Sequence, residues 1–207
     1  MTASPALAPF TTFAAVAVPI DIANCDTDQI IPARFLRKSP ADADFGETLL
    51  HDLRFDADGQ ETDFVLNQEA YRGGRILVAD INWGCGSSRE SAVKALVAFG
   101  VRAVIAPSFG DIHYNNCIKN GILPIRLPNA DCAELRRQLR DAPGAEIAID
   151  LPEQSLTGPD QAPYAFDIEA FDKHRLVNGL DEIRMTLGYR DEIDAFAASY
   201  RQKYPWS

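Results

Sequence analysis

Apolar residues recur along the chain in two spacings, which predict alternating strands and helices. Strand-like runs occupy residues 13–20, 75–81, 101–106, 122–127, 146–151 and 164–168. Helical spacing marks residues 88–99, 108–120, 131–141, 171–178, 181–187 and 191–203. Because a helix lies between the strands at 75–81 and 101–106, we expect those two strands to be parallel. The chain is therefore predicted to be an α/β protein with a parallel β-α-β core and C-terminal helices.

Residues 39–69 interrupt this regular pattern. They are rich in Asp and weakly patterned, and we interpret them as a long functional loop that contains short helical pieces. At 207 residues the chain is most simply one domain, 1–207, in which residues 169–207 form a C-terminal helical segment. The last helix should carry one apolar face, formed by Ile193, Phe196, Ala197 and Tyr200.

The composition excludes several classes of function. A formal net charge of −10 argues against nucleic-acid binding, which requires a basic surface. No apolar run approaches the ~20 residues that a membrane helix needs. A signal peptide begins with a basic region, whereas no Lys or Arg precedes Arg34 in this chain. We therefore expect a cytoplasmic protein. An anionic ligand would depend on local cations, which Arg34 to Lys38 and Arg89 could supply.

The cysteines have no spacing typical of a metal site. Cys25, Cys85, Cys117 and Cys132 include no C-x-x-C pair, so we predict no metal and no cluster on this chain. We interpret the four residues as free thiols of a reducing compartment. Cys85 differs from the others because its neighbours form a candidate ligand site.

That candidate site is the loop at residues 82–90, NWGCGSSRE, between a predicted strand and a predicted helix. Gly84 and Gly86 allow a tight turn and a close approach of the backbone to a ligand. Ser87 or Ser88 is expected to cap the helix, whose free N–H groups and partial positive charge favour an anion. Arg89 adds a forked donor for a carboxylate or a phosphate. The loop therefore predicts a compact anion site that contains serine hydroxyls.

Three common glycine loops do not fit this segment. It lacks the Gly-Lys of a Walker A motif, the third glycine of a dinucleotide fingerprint and the Gly-x-Ser-x-Gly of a hydrolase elbow. No histidine lies nearby to activate Ser87 as an acyl-transfer nucleophile. Two interpretations stay open: Ser87 transfers a proton as an alkoxide held by neighbouring donors, or Ser87 and Ser88 are only helix caps.

Four segments in series resemble the small subunit of bacterial 3-isopropylmalate dehydratase, a family related to the aconitases. They are residues 25–36 (CDTDQIIPARFL), the loop at 82–90, residues 105–124 with PSFGD and NN, and residues 171–187 with NGLD. The resemblance covers nearly the whole chain. It implies the swivelling β/β/α domain of aconitase, made here as a separate chain. It also implies a large subunit, in a heterodimer or heterotetramer, which carries a [4Fe–4S] cluster, whereas this chain binds no cofactor.

The resemblance further implies roles for individual residues. Ser87 is the catalytic alkoxide base, while Ser88 and Arg89 bind a substrate carboxylate and support Ser87. Asp28 matches an acidic residue near the active site of the aconitases. The pocket would be shaped by Asn82, Gly84, Cys85 and Gly86.

Other positions concern the choice of substrate. Arg37 and Lys38 lie in the segment 34–39, where the family sets its preference for the side group, and a solvated basic turn is the alternative interpretation. The chain has Ser91 where family members often have His, and His113 where Phe or Tyr is common. We interpret His113 as an ordinary helix residue, and both departures are compatible with a relative that acts on another 2-hydroxy diacid.

The implied activity is the interconversion of 2-isopropylmalate and 3-isopropylmalate by dehydration and rehydration, in leucine biosynthesis. Within enzymes, the alternative is a related hydro-lyase that acts on citraconate, a methyl-substituted maleate or homoaconitate. Outside enzymes, the alternative is an anion-binding module without catalysis, which would need no iron–sulfur partner.

Overall fold

A computed structural model describes residues 7–206 of the chain. Its strands are β1 (Thr12–Ile20), β2 (Ile76–Ala79), β3 (Ala103–Ala106), β4 (Leu123–Arg126), β5 (Glu146–Asp150), β6 (Ser155–Thr157) and β7 (Pro163–Ala165). They form one curled sheet in the order β4-β3-β2-β1-β5-β6-β7. Strands β1 to β4 pair in parallel, whereas β5, β6 and β7 extend the sheet in antiparallel pairs.

The helices follow the strands as the sequence pattern predicts. They are α1 (Thr27–Ile30), α2 (His51–Arg54), α3 (Glu90–Phe99), α4 (Asp111–Lys119), α5 (Asn129–Asp141), α6 (Ala170–Val177), α7 (Glu182–Leu187) and α8 (Arg190–Lys203). The parallel β2-α3-β3 unit confirms the predicted core, and the α/β class with C-terminal helices is confirmed as well. Within residues 7–206, no helix is both long enough and apolar enough to cross a membrane.

The central strands owe their position to their composition. Every residue of β2 and β3 is apolar and buried, as expected for parallel strands that are covered on both faces. Helix α5 packs against β1, β2 and β3, and α3 lies beside α4. Helix α3 ends at Gly100, whose φ of 102° is the left-handed conformation that favours glycine at a helix end.

The segment at 39–69 contains short helical turns, including 3-10 turns at Phe45–Thr48 and Val65–Asn67. Its apolar residues Phe45, Leu49 and Leu50 are buried in the main hydrophobic core. The first of these turns packs against α3, the helix that follows the glycine loop. The segment thereby supports the helix on which the candidate site depends.

The structure differs from the sequence expectations at several elements. Strand β6 was not predicted because it is three residues long and only Leu156 in it is apolar and buried. The strand expected at 164–168 is found at Pro163–Ala165, and the helix expected from residue 108 begins at Asp111. The apolar face of α8 is present, yet Ile193, Phe196 and Tyr200 remain exposed.

Candidate functional site

The candidate site lies at the edge of the sheet where β1, β2 and β3 end. Two backbone hydrogen bonds join the loop after β1 to the glycine loop after β2: Gly84 donates to the carbonyl of Cys25 at 2.7 Å, and Thr27 donates to the carbonyl of Cys85 at 3.0 Å. The side chain of Thr27 then donates to the carbonyl of Ser87 at 2.7 Å. Since parallel strands end at the same edge, segments distant in sequence meet here.

The glycine loop is joined to the loop after β3 in the same way. The N–H of Trp83 donates to the carbonyl of Ser108 at 3.0 Å, and the N–H of Gly110 donates to the carbonyl of Trp83 at 2.9 Å. Trp83 is completely buried beneath the loop. The chain is thus held in an extended conformation through Phe109, which explains why α4 begins only at Asp111.

A buried guanidinium fixes the start of the first two loops. Arg136 of α5 donates to Asp21 Oδ1 and to the carbonyl of Ala79, both at 2.8 Å, and its Nη2 lies 3.2 Å from Asp80 Oδ2. Only 6% of Arg136 is exposed. Because a buried charge is costly unless it is paired and hydrogen-bonded, this network constrains where both loops leave the sheet.

Between the loops lies a cavity of about 240 Å³. Its lining comes from all three loops and from the start of α4: Thr27, Gly84, Gly86, Ser87, Ser88, Arg89, Gly110, Asp111, Ile112 and His113. Ser87 and Ser88 are exposed, so their hydroxyls are accessible to a ligand. Gly84 and Gly86 adopt φ values of 69° and 84°, which other residues rarely adopt.

Arg89 and Asp28 form an ion pair at the rim of this cavity. Arg89 Nη1 lies beside Asp28 Oδ1, and 19% of the Arg89 side chain is exposed against 53% of the Asp28 side chain. Asp28 itself is not part of the cavity lining. Arg89 Nη1 is nevertheless buried without a well-aligned hydrogen bond to any described residue. The guanidinium therefore keeps donor capacity for a ligand.

The expected helix caps are wrong. Helix α3 begins at Glu90, Arg89 occupies the capping position, and neither Ser87 nor Ser88 caps the helix. Helix α4, which begins after Gly110, also has no side-chain cap. The first turn of α4 thus lines the cavity with its N–H groups uncapped, while α3 contributes only its capping residue Arg89. A guanidinium and an uncapped helix start favour an anion.

Five residues of the cavity wall were not predicted as site residues: Thr27, Gly110, Asp111, Ile112 and His113. Thr27 lies directly before Asp28 in a segment that was singled out, but only the meeting of the first two loops shows its contact with Ser87. His113 was interpreted as an ordinary helix residue, whereas only 3% of it is exposed and its side chain belongs to the cavity wall. Burial lowers the pKa of His113 to about 4, which keeps the imidazole uncharged at neutral pH.

Other candidate residues lie beside the cavity. Asn82, at a φ of 62°, donates from its side chain to Asn24 Oδ1 at 2.9 Å, and the Cys85 thiol donates to the Asn24 carbonyl at 3.4 Å. Neither residue is part of the lining, so both shape the loop from behind. Arg37 is exposed, and Lys38 Nζ lies 2.5 Å from Asp44 Oδ2. Neither of these two cations lines the cavity.

Within residues 7–206, no three side chains of His, Cys, Asp or Glu are grouped so that they could hold a metal ion. Cys25, Cys117 and Cys132 are buried thiols, and burial raises the pKa of each. The described cysteines and other potential metal ligands therefore do not fit an iron–sulfur cluster.

Comparison with known proteins first gives the class. A family model described as the aconitase C-terminal domain matches residues 7–130, and a second one, LeuD_N, matches residues 133–170. Because the first model covers more than half of the chain, this curled α/β domain is a domain of the aconitase type.

The relatives then define the family. The 3-isopropylmalate dehydratase small subunit of Paramagnetospirillum magneticum is 48% identical and that of Jannaschia sp. 49% identical, each over 95% of this chain and 98% of the relative. The crystal structure of 3-isopropylmalate dehydratase from Methanocaldococcus jannaschii has a TM-score of 0.64 at 26% identity, covering 90% of this chain and 99% of that one. The chain belongs to the family of 3-isopropylmalate dehydratase small subunits, which are part of aconitase-type hydro-lyases.

Proposed function

We propose that this chain is the small subunit of a hydro-lyase that interconverts 2-isopropylmalate and 3-isopropylmalate, and that Ser87 is its proton-transferring base. One observation carries the proposal. Ser87 lines the same cavity as Arg89 and the uncapped start of α4. The relatives named above support the choice of substrate, since they are named for 3-isopropylmalate.

The reaction requires a proton and a hydroxide to leave neighbouring carbons. In the dehydration step, the Ser87 alkoxide takes the proton from the carbon next to a carboxylate and becomes a hydroxyl, while the electron pair of that C–H bond forms the alkene. The C–O bond breaks, and its electron pair leaves with the hydroxide, which takes up a proton from solvent and departs as water. Rehydration with the opposite regiochemistry gives the isomer. The charge that develops on the carboxylate during proton removal needs fixed donors, which the guanidinium of Arg89 and the start of α4 provide.

The ion pair between Arg89 and Asp28 prepares the cavity for this task. It orients the guanidinium before substrate arrives, so that less conformational freedom is lost when a carboxylate binds. Ser88, whose side chain lines the cavity beside Ser87, adds a donor for the same carboxylate. Asp28 is thus a positioning residue, and Arg89 contacts the substrate directly.

A large subunit completes the enzyme in this proposal. A [4Fe–4S] cluster held by that partner would supply Lewis-acid chemistry at the departing hydroxyl. The active assembly is a heterodimer or heterotetramer in the cytoplasm, to which this chain contributes a single domain. Arg37 and Lys38 remain the proposed specificity residues, because segment 34–39 begins four residues after the end of α1, the helix that carries Asp28.

The test is reconstitution with the anaerobically prepared large subunit. We expect Ser87→Ala to leave assembly intact, to change KM little and to lower kcat by about 10²- to 10⁴-fold, the usual contribution of a positioned base. Ser91→Ala is the matched control, because Ser91 lies in the first turn of α3 but outside the cavity lining, and it should behave as wild type. Full turnover by the Ser87→Ala pair would refute the assignment of the base.

Substrate choice is tested separately with a panel on the wild-type pair. The proposal expects preference for 3-isopropylmalate over citraconate, dimethylmaleate and homoaconitate. Faster turnover of one of the other diacids would keep the hydro-lyase mechanism but replace the substrate. Anion binding without turnover of any diacid by the reconstituted pair would contradict an enzymatic role.

A further inference from the structure

We propose that His113 contacts the substrate: together with the first turn of α4, it binds one carboxylate of the hydroxy diacid whose other carboxylate is held by Arg89. This inference rests on the proposed function and assigns a second anchor within the same cavity. It starts from a side chain whose hydrogen-bonding capacity is unused.

The imidazole of His113 is 3% exposed, and neither ring nitrogen has a hydrogen-bond partner among the described residues. Buried polar groups in folded proteins are almost always hydrogen-bonded, so each exception requires an explanation. The ring belongs to the wall of a cavity of about 240 Å³, which is large enough to admit a ligand group. A bound oxygen would supply the partner that the ring lacks.

The cavity gives this partner a definite place. Arg89 contributes one side of the lining, while His113 and the start of α4 contribute another. A diacid carries two anionic groups, and the cavity offers the guanidinium of Arg89 for one and the free N–H groups at the uncapped start of α4 for the other. The two ends of one ligand thus match two anchors, of which only the one at Arg89 carries a charged donor.

The uncharged state of the ring suits this role. A neutral imidazole presents one N–H donor and one acceptor nitrogen, and its donor can bind a carboxylate oxygen. The charged groups that share the cavity lining are Arg89 and Asp111, and Asp28 pairs with Arg89 at the rim. A half-turn of the ring about its Cβ–Cγ bond exchanges Nδ1 with Cδ2 and Nε2 with Cε1. The ring can therefore turn a nitrogen toward a bound carboxylate oxygen.

The experiment measures ligand binding and turnover by the reconstituted pair with wild-type chain, His113→Phe and His113→Gln. Phenylalanine preserves an aromatic ring and removes both nitrogens, whereas glutamine restores a donor. We expect His113→Phe to raise the KM and the dissociation constant of 3-isopropylmalate by about tenfold, the factor of one hydrogen bond, and to change kcat less. His113→Gln should recover part of the affinity. His174→Phe on the exposed side of α6 is the matched control and should behave as wild type.

Two monocarboxylic analogues separate contact from packing: 2-hydroxy-4-methylpentanoate and 2-(hydroxymethyl)-3-methylbutanoate, each of which lacks one carboxylate of 3-isopropylmalate. Calorimetry should show that His113→Phe weakens the binding of one analogue by the same factor as the binding of the diacid, and leaves the binding of the other analogue unchanged. Equal losses for all three ligands, or no loss for any, would overturn the proposal. If His113→Phe does not fold, as judged by circular dichroism, His113→Ala, which also removes both ring nitrogens, decides in the same way against the three ligands.

The two hypotheses fail differently. An inactive wild-type pair that still binds 3-isopropylmalate with the predicted His113 dependence would contradict the proposed function alone. If the wild-type pair is active and its affinity for the diacid is the same in His113→Phe, only this inference is contradicted.

Discussion

The close fit between Gly84 and His113 leads to a quantitative prediction about stability. A Cβ added at Gly84 would lie 2.2 Å from His113 Cγ and 2.3 Å from its Cδ2, far inside van der Waals contact. Gly84 also has a φ of 69°, in the left-handed region. Gly84→Ala therefore combines two independent costs, a strained backbone and an overpacked core.

Both costs can be estimated. The left-handed conformation costs an alanine roughly 1–2 kcal/mol, and overpacking of a well-packed site costs roughly 1–3 kcal/mol. We expect Gly84→Ala to lower the free energy of unfolding by about 2–5 kcal/mol as their sum. In a His113→Ala background the ring is absent, but the Cβ of residue 113, 2.7 Å from the added Cβ, remains, so the backbone cost and a smaller part of the overpacking cost should persist. The two substitutions should thus be coupled by part of the overpacking cost of roughly 1–3 kcal/mol.

Gly86 offers a control within the same loop. Its φ of 84° is equally left-handed, but the nearest atom to an added Cβ is Asp26 Cβ at 3.5 Å, an ordinary contact. Gly86→Ala should therefore cost only the backbone part, about 1–2 kcal/mol. Urea unfolding of the four chains of the cycle and of Gly86→Ala, followed by circular dichroism, measures these differences. Equal costs for the two glycines, or additive effects of Gly84→Ala and His113→Ala, would refute the proposed contact.

Two further predictions concern titration and thiol chemistry. The pKa of His113 is about 4 in the folded chain and 6.5 in an unfolded chain, so the unfolded state binds more protons between these two values. The free energy of unfolding, measured by urea titration at each pH, should therefore fall by roughly 3 kcal/mol as the pH falls from 6.5 to 4, and His113→Phe should lack this part of the pH dependence. Equal pH dependence in the two chains would contradict the burial of the ring. Cys85 is partly exposed, whereas burial raises the pKa of Cys25 and Cys132 to about 12 each and that of Cys117 as well. The native chain at pH 8 should therefore react rapidly with one equivalent of iodoacetamide, at Cys85, and the three buried thiols should react only on unfolding. Rapid modification of a second cysteine, located by peptide mass spectrometry, would contradict this assignment.

Local sequence was sufficient for the elements of the core. Runs such as Ile76–Ala79 and Ala103–Ala106 are apolar at every position, and this pattern is typical of parallel strands that are buried on both faces. Gly100 marked the end of α3 correctly for the same local reason, a left-handed φ that glycine adopts easily. The tight turn of the glycine loop was predictable too, since the left-handed φ values of Gly84 and Gly86 depend on residues adjacent in sequence.

Contacts between segments that are distant in sequence could not be predicted from local sequence. The bond from Thr27 to the carbonyl of Ser87 joins residues 60 positions apart, and it forms only because β1 and β2 are neighbours in the sheet. The place of His113 in the wall depends on the missing side chain of Gly84, a relation between two loops that no spacing in the sequence expresses. The serine caps failed for a similar reason. The bond from Thr27 holds the backbone at Ser87 near α1, and the helix begins two residues after Ser88, at Glu90.

The exposure of Ser87 has a consequence for how catalysis is organised. An alkoxide is strongly basic, and donors stabilise it effectively only where bulk water is excluded and the local dielectric constant is low. In this chain the loop backbone is held by buried Trp83 and by the Arg136 network, but Ser87 itself is exposed. The chain thus fixes the position of Ser87 without itself excluding water from it. Under the proposed function, we expect the large subunit to exclude that water, and the isolated chain to show no turnover in the reconstitution assay.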